Sequence, residues 1–158
     1  MTDNLTEDLG LCRDLFVSSH PSGQTLVVGG TCEKEGGSGK SARVLTRRAA
    51  HLLWYHLTRL LFPEKAPMVT TLVSTAPLSG APSPALTTHV DIDLQNEDRY
   101  IIEGITSQQT WKMTISYMEA RRLWTALDLA LYPDGWETKD AASAQSANRP
   151  PRRRQTYQ

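Results

Sequence analysis

A chain of 158 residues with 39% hydrophobic and 22% charged residues, four Trp and five Tyr suits one hydrophobic core that folds without a metal or a disulfide framework. Basic and acidic residues cancel at seventeen each, yet residues 138–158 hold Lys139, Arg149, Arg152, Arg153 and Arg154 against Asp140 alone, which leaves residues 1–137 acidic. An acidic body argues against gripping nucleic acid through the folded surface, and no run of about 18 apolar residues or basic, apolar leader argues for membrane insertion or export.

Met1 to Gly10 reads as an acidic, mostly unstructured lead-in. Leu11 to Ser18 then reads as a strand, Ser19 to Gly23 as a turn, and Gln24 to Thr31 as a second strand, together a hairpin. The competing pattern places Leu5, Leu9, Cys12 and Phe16 on one face of a helix, at a cost of about 1 kcal/mol for Gly10 inside it. Glu33 to Lys40 is Gly/Ser-rich and reads as a flexible loop, with Ser41 as the N-cap of the longest element. Leu45, Ala49, Leu53, Leu57 and Leu60 recur at helical spacing, and Pro63 ends the helix.

Beyond Pro67, Met68 to Thr75 is a β-branched run and Ala76 to Ala85 a Pro-rich loop. Leu86 to Gln95, Arg99 to Thr106 and Thr110 to Ser116 read as three strands joined by hairpin-length turns, an antiparallel meander. Ser116 and Glu119 form a capping box for a last helix whose buried stripe is Ala120, Leu123, Trp124, Leu127, Ala130 and Leu131. Residues 138–158 have almost nothing to bury and read as a disordered basic tail. No internal repeat is evident. The expected fold is α+β: a single antiparallel sheet of five to six strands packed with two main helices in the order ββαββββα, forming one domain over residues 1–137.

Gly36-Gly37-Ser38-Gly39-Lys40-Ser41 suggests a phosphate-cradling loop, but that motif needs glycine where Lys34 stands. His89, Asp91 and Asp93 alternate with apolar residues, and Glu103 follows on the next strand, so one strand face offers carboxylates and an imidazole to a metal or to acid/base chemistry. The same alternation is what a solvated strand face shows. No serine or cysteine context surrounds His20, His51, His56 or His89, so the reading assigns no catalytic residue, no cofactor and no metal. Cys12 and Cys32 read as core thiols of a cytoplasmic protein, with a bridge between them left open.

Arg43, Arg47, Arg48 and His51 fall on one face of the expected helix, with Trp54 and Tyr55 beyond it. Clustered arginines and aromatics of this kind anchor protein partners, and the bland counterpart is a solvated face paired with Glu33 or Glu35. Arg149, Arg152, Arg153 and Arg154 form a second, anionic-partner element in the tail.

In size and element order the chain resembles the two-layer α+β scaffolds of roadblock-like, profilin-like and secretion-chaperone-like proteins. Tyr117 to Trp136, with Thr75 to Leu78 and Leu86 to Val90, resembles small cyanobacterial accessory proteins of the photosynthetic and carbon-fixing machinery. The resemblance implies an assembly factor or chaperone-like binder of a larger complex, including carboxysome shells, and carries over no site residues. The expected function is thus a non-catalytic protein-binding accessory factor whose partner is a subunit of a larger assembly; a homodimer is compatible with it. The rivals are a small enzyme or ligand or metal sensor using the strand 86–95, and a nucleic-acid-associated regulator working through the arginine tail.

Overall fold

The protein is described from a computed structural model, which defines residues 6–21, 23–34, 36–65 and 85–133. Seven strands and two long helices follow in chain order: β1 (Thr6–Ser19), β2 (Thr25–Lys34), β3 (Gly37–Thr46), α1 (Arg47–Leu61), a short 3-10 turn (Pro63–Lys65), β4 (Leu86–Thr87), β5 (His89–Asn96), β6 (Arg99–Ile105), β7 (Thr110–Ser116) and α2 (Tyr117–Leu131). The run Met68 to Thr75, the Pro-rich loop and the basic tail lie outside the described residues.

Four expectations are corrected. The strand read over Leu11–Ser18 holds and the competing helix does not form over the described residues, but β1 begins at Thr6, inside the segment read as a lead-in. The Gly/Ser run is largely strand: Lys34 pairs with Gly37, and Gly36, just before that pair, supplies a positive φ (95°) of the kind a tight turn demands. Because β3 continues to Thr46, α1 starts five residues later than Ser41 suggests, with the Thr46 hydroxyl accepting from the Ala49 N–H at 3.0 Å. The sheet is mixed and seven-stranded, in the order β4-β3-β2-β1-β7-β6-β5, with β1 parallel to β7 and β3 parallel to β4. Room for the β3–β4 crossover comes from α1 and the chain that follows it.

β4 and β5 stand at opposite ends of this order, yet only Thr88 separates them. The sheet therefore returns on itself: Leu86 and Thr87 pair with β3, and from His89 onward the same stretch pairs with β6. At the junction the Trp111 indole N–H donates to the Thr87 hydroxyl at 2.9 Å, both groups buried. Cys12 and Cys32 face each other across β1 and β2 and form a disulfide, which answers the pairing that the sequence leaves open.

The chain also contains a repeat that the sequence reading misses. Two three-strand units each end in a 15-residue helix, capped by Thr46 in one and Ser116 in the other. The C-cap residues Phe62 and Tyr132 share nearly the same backbone angles (φ −138°, ψ 67° and φ −135°, ψ 71°), and a proline follows each. Each helix hangs its first N–H on the first hairpin turn of its unit: Arg47 N donates to Gln24 O at 3.0 Å, and Tyr117 N to Asp98 O at 3.1 Å. At one constant offset Ala50, Leu53, Trp54, Leu57 and Leu61 match Ala120, Leu123, Trp124, Leu127 and Leu131. Those identical residues are buried by the helix pair, or half-buried in the case of Leu61 and Trp124.

The expected cap of α2 forms by half. Ser116 accepts from the Glu119 N–H at 3.2 Å, but the Glu119 carboxylate turns away to accept the Leu15 N–H of β1 at 3.1 Å. It thereby satisfies a backbone donor where the β1 ladder is irregular, and ties α2 to that strand.

Candidate functional site

Among the described residues, polar and aromatic side chains gather along the seam between the helices. From α1, Arg47, His51, Trp54 and Thr58 project at i, i+4, i+7 and i+11, one helical stripe. Ascending numbers on α1 meet descending numbers on α2, so the helices run antiparallel here. The Arg47 guanidinium donates to Leu131 O at 3.3 Å and to Gly23 O at 3.2 Å, holding a cation at the carbonyl end of α2 where the helix dipole favours it.

Two tryptophans related by the repeat make reciprocal bonds. The Trp54 indole N–H donates to Asp128 Oδ1 at 3.0 Å, and the Trp124 indole N–H donates to Thr58 Oγ1 at 2.9 Å. Thr58 and Asp128 are themselves equivalent positions. The ring contacts repeat as well: Trp54 lies 5.2 Å from Tyr132, and Trp124 4.7 Å from Phe62. The seam thus has a local twofold, as the interface of a symmetric dimer would, but within one chain.

The symmetry breaks at His51, whose equivalent is Arg121. His51 is buried, donates from Nδ1 to Arg47 O and accepts at Nε2 from the Tyr132 hydroxyl, each at 3.0 Å, a pairing that fits the neutral ring. Arg121 is exposed and lies over the rings of Phe62 and Tyr117 instead, at 5.5 and 5.8 Å. Burial lowers the His51 pKa, and the charges of Arg47 and Arg48 lower it further, against the bond to the Arg47 carbonyl. His56, at the other side of α1, is also lowered, chiefly by burial, although Asp91 at 3.7 Å opposes the shift.

A pH dependence follows. With the folded-state pKa of His51 depressed, the unfolded chain binds the proton more readily, so this stability is full above the usual imidazole pKa and is lost as pH falls through the folded value. Urea unfolding at pH 7.5 and pH 5 is expected to show lower stability at the acidic point, and His51→Gln is expected to shrink that difference. A difference unchanged by the substitution assigns the dependence to other groups.

The residues expected to form one basic, aromatic face are therefore distributed. Arg43 lies on β3 and pairs with Glu7 of β1, so it is no part of the helix. Arg47, His51 and Trp54 are committed to α2 and the β1–β2 turn. Arg48 and Tyr55 stand on the flank of α1, with the Arg59 guanidinium 5.7 Å from the Tyr55 ring centre. Arg149, Arg152, Arg153 and Arg154 lie outside the described residues. His89, Asp91 and Asp93 do share the outer face of β5, with Asp91 opposite Glu103 and Glu103 opposite Lys112. Among the described residues no group of three or more His, Cys, Asp or Glu is placed to hold a metal ion.

Sequence reasoning missed the outer face of the first three-strand unit. Phe16, Gly29 and Ala42 form one cross-strand row, and Val27 and Val44 the next pair on the same face. Phe16 is 46% exposed yet lies flat on β2, since a Cβ at Gly29 would come within 2.7 Å of its ring and 2.8 Å of Ser41 O. The equivalent row of the second unit is Asp91, Glu103 and Lys112. One unit presents an aromatic row to solvent where the other presents charges. The signal available in sequence was the alternation Phe16/Ser18 against Val27/Gly29, two short pieces whose pairing only the hairpin register reveals.

Compared with protein-family models, with curated proteins and with solved structures, the chain matches none. The likeness of Tyr117 to Trp136 to cyanobacterial accessory proteins accordingly has no matched relative behind it. Among the described residues no helix is long and apolar enough to cross a membrane.

Proposed function

We propose that this protein is a non-catalytic binding protein that takes an apolar segment of a partner protein, a subunit of a larger assembly, on the outer face of β1, β2 and β3. The observation that carries the reading is Phe16. An aromatic ring held flat over a glycine, flanked by Val27, Val44 and the exposed Ala42, is a fixed apolar surface with little side-chain freedom left to lose on binding. The equivalent row of the second unit is charged, so the apolar row belongs to the first unit and is not repeated in the second. Two residues of the original α1 patch, Arg48 and Tyr55, remain candidates for a secondary contact.

Phe16→Asp is expected to abolish recovery of a stoichiometric partner from the native source while leaving the circular dichroism spectrum and thermal midpoint close to wild type, since Phe16 stands on the outer face, half exposed and outside the buried core. Lys112→Ala, in the charged row, is expected to retain the partner. Equal recovery by wild type and Phe16→Asp contradicts the reading.

A further inference from the structure

The first strand is the seam of the sheet. β1 pairs antiparallel with β2 on one side and parallel with β7 on the other, so the first three-strand unit meets the second along it. Its ladder is interrupted on both sides, between Asp8 and Leu11 towards β7 and between Arg13 and Phe16 towards β2. Gly10 and Asp14 take positive φ values of 82° and 54° at these interruptions, and for Asp14 that is a conformation an L side chain seldom adopts. Between them, regular pairing to β2 rests on Leu11, Cys12 and Arg13. Cys12 is the middle one, and its disulfide to Cys32 is the covalent tie across this weak stretch.

We propose that the Cys12–Cys32 disulfide is a redox-gated clamp on β1: closed, it holds the irregular segment against β2; reduced, it lets residues 9–16 open while the second unit stays paired. The reductant is a dithiol. One of its thiolates attacks a cysteine sulfur and breaks the S–S bond. Its second thiolate then displaces that cysteine, so two electrons pass to the protein, the reductant leaves as its own disulfide, and both cysteines end as protonated thiols.

Both cysteines are buried, at 1% and 2% residue exposure, so attack waits on local opening of the strand, and the closed clamp is slow to reduce in the folded protein. The bond spans a sequence separation of 20, and cutting it restores chain freedom to the unfolded state. Such a bond persists in oxidising surroundings and not in a reducing cytosol, where the open form prevails.

Full-length protein purified without reductant, then denatured and alkylated with iodoacetamide, is expected to take no adduct by intact mass; after prolonged dithiothreitol it is expected to take two. Hydrogen exchange of the folded protein is expected to quicken on reduction by about ten-fold more over residues 9–16 than over β6, the internal reference. The variant Cys12→Ala/Cys32→Ala is expected to exchange like the reduced protein; should it fail to fold, reduced wild type still gives the readout. Two adducts without reductant, or exchange over residues 9–16 that ignores reduction, overturns the proposal.

Discussion

Trp54→Ala is expected to lower stability by about 3–5 kcal/mol, the range for removing a fully buried tryptophan. Trp54 has no solvent exposure, touches Tyr132, and bonds Asp128 through its indole. Truncation leaves a large cavity and strips the Asp128 carboxylate of a donor. Trp124→Ala, the same change at the equivalent position, is expected to cost clearly less, because Trp124 is only partly buried and its hydrogen-bond acceptor, Thr58, keeps its own bond to Trp54 O at 2.7 Å. Urea unfolding of the two variants side by side checks this. Equal losses imply that the seam is more symmetric in energy than in exposure.

The second large effect is expected at the junction that closes the sheet. Trp111 is 1% exposed, is the cross-strand partner of Gly104, and its indole meets Thr87 of β4. Trp111→Ala is expected to cost about 3–5 kcal/mol. The more telling variant is Thr87→Val, which keeps the shape and deletes the acceptor, leaving a buried indole N–H without its partner at about 1–3 kcal/mol. If β4 is the true neighbour of β3, Thr87→Val should also speed hydrogen exchange at Val44 and Leu45. A neutral Thr87→Val would place the closure in the backbone pairing alone.

Much of the fold was legible because it is written locally. Hairpin turns at Glu97–Asp98 and Ser107–Gln109, the Ser116 cap, the proline stops at Pro63 and Pro133, and the α2 stripe depend on neighbours within a few residues. Glycine misled at residues 36–40, where composition signalled a loop and the chain uses Gly36 at positive φ in a tight turn and runs as strand from Gly37. That error moved the start of α1, and with it the supposed basic face, since Arg43 shares a helix face with Arg47 only if both are helical. The parallel pairs β1–β7 and β3–β4 join segments far apart in sequence, and no local pattern announces them. The repeat had a readable signal in the matching Ala, Leu, Trp, Leu, Leu and Pro of the two helices. It was masked because the seam-facing polar residues differ: His51 against Arg121, Thr58 against Asp128.

The seam also explains why an arginine- and aromatic-rich helix need not present a docking face. Arg47, His51 and Trp54 find their partners inside the chain, as the two halves of an obligate dimer would find theirs across an interface. Among the described residues the row under Phe16 is an outward-facing apolar surface held on three paired strands, while Leu94, Ile105, Met118 and Leu129 are exposed elsewhere.

The most direct test separates the two surfaces by measuring partner affinity and unfolding free energy on the same panel: Phe16→Asp on the sheet, Tyr55→Ala and Arg48→Ala on the flank of α1. The account predicts that Phe16→Asp loses binding at near wild-type stability, while the α1 variants change affinity little. Binding that survives Phe16→Asp and disappears with Tyr55→Ala or Arg48→Ala in a stably folded protein would contradict it.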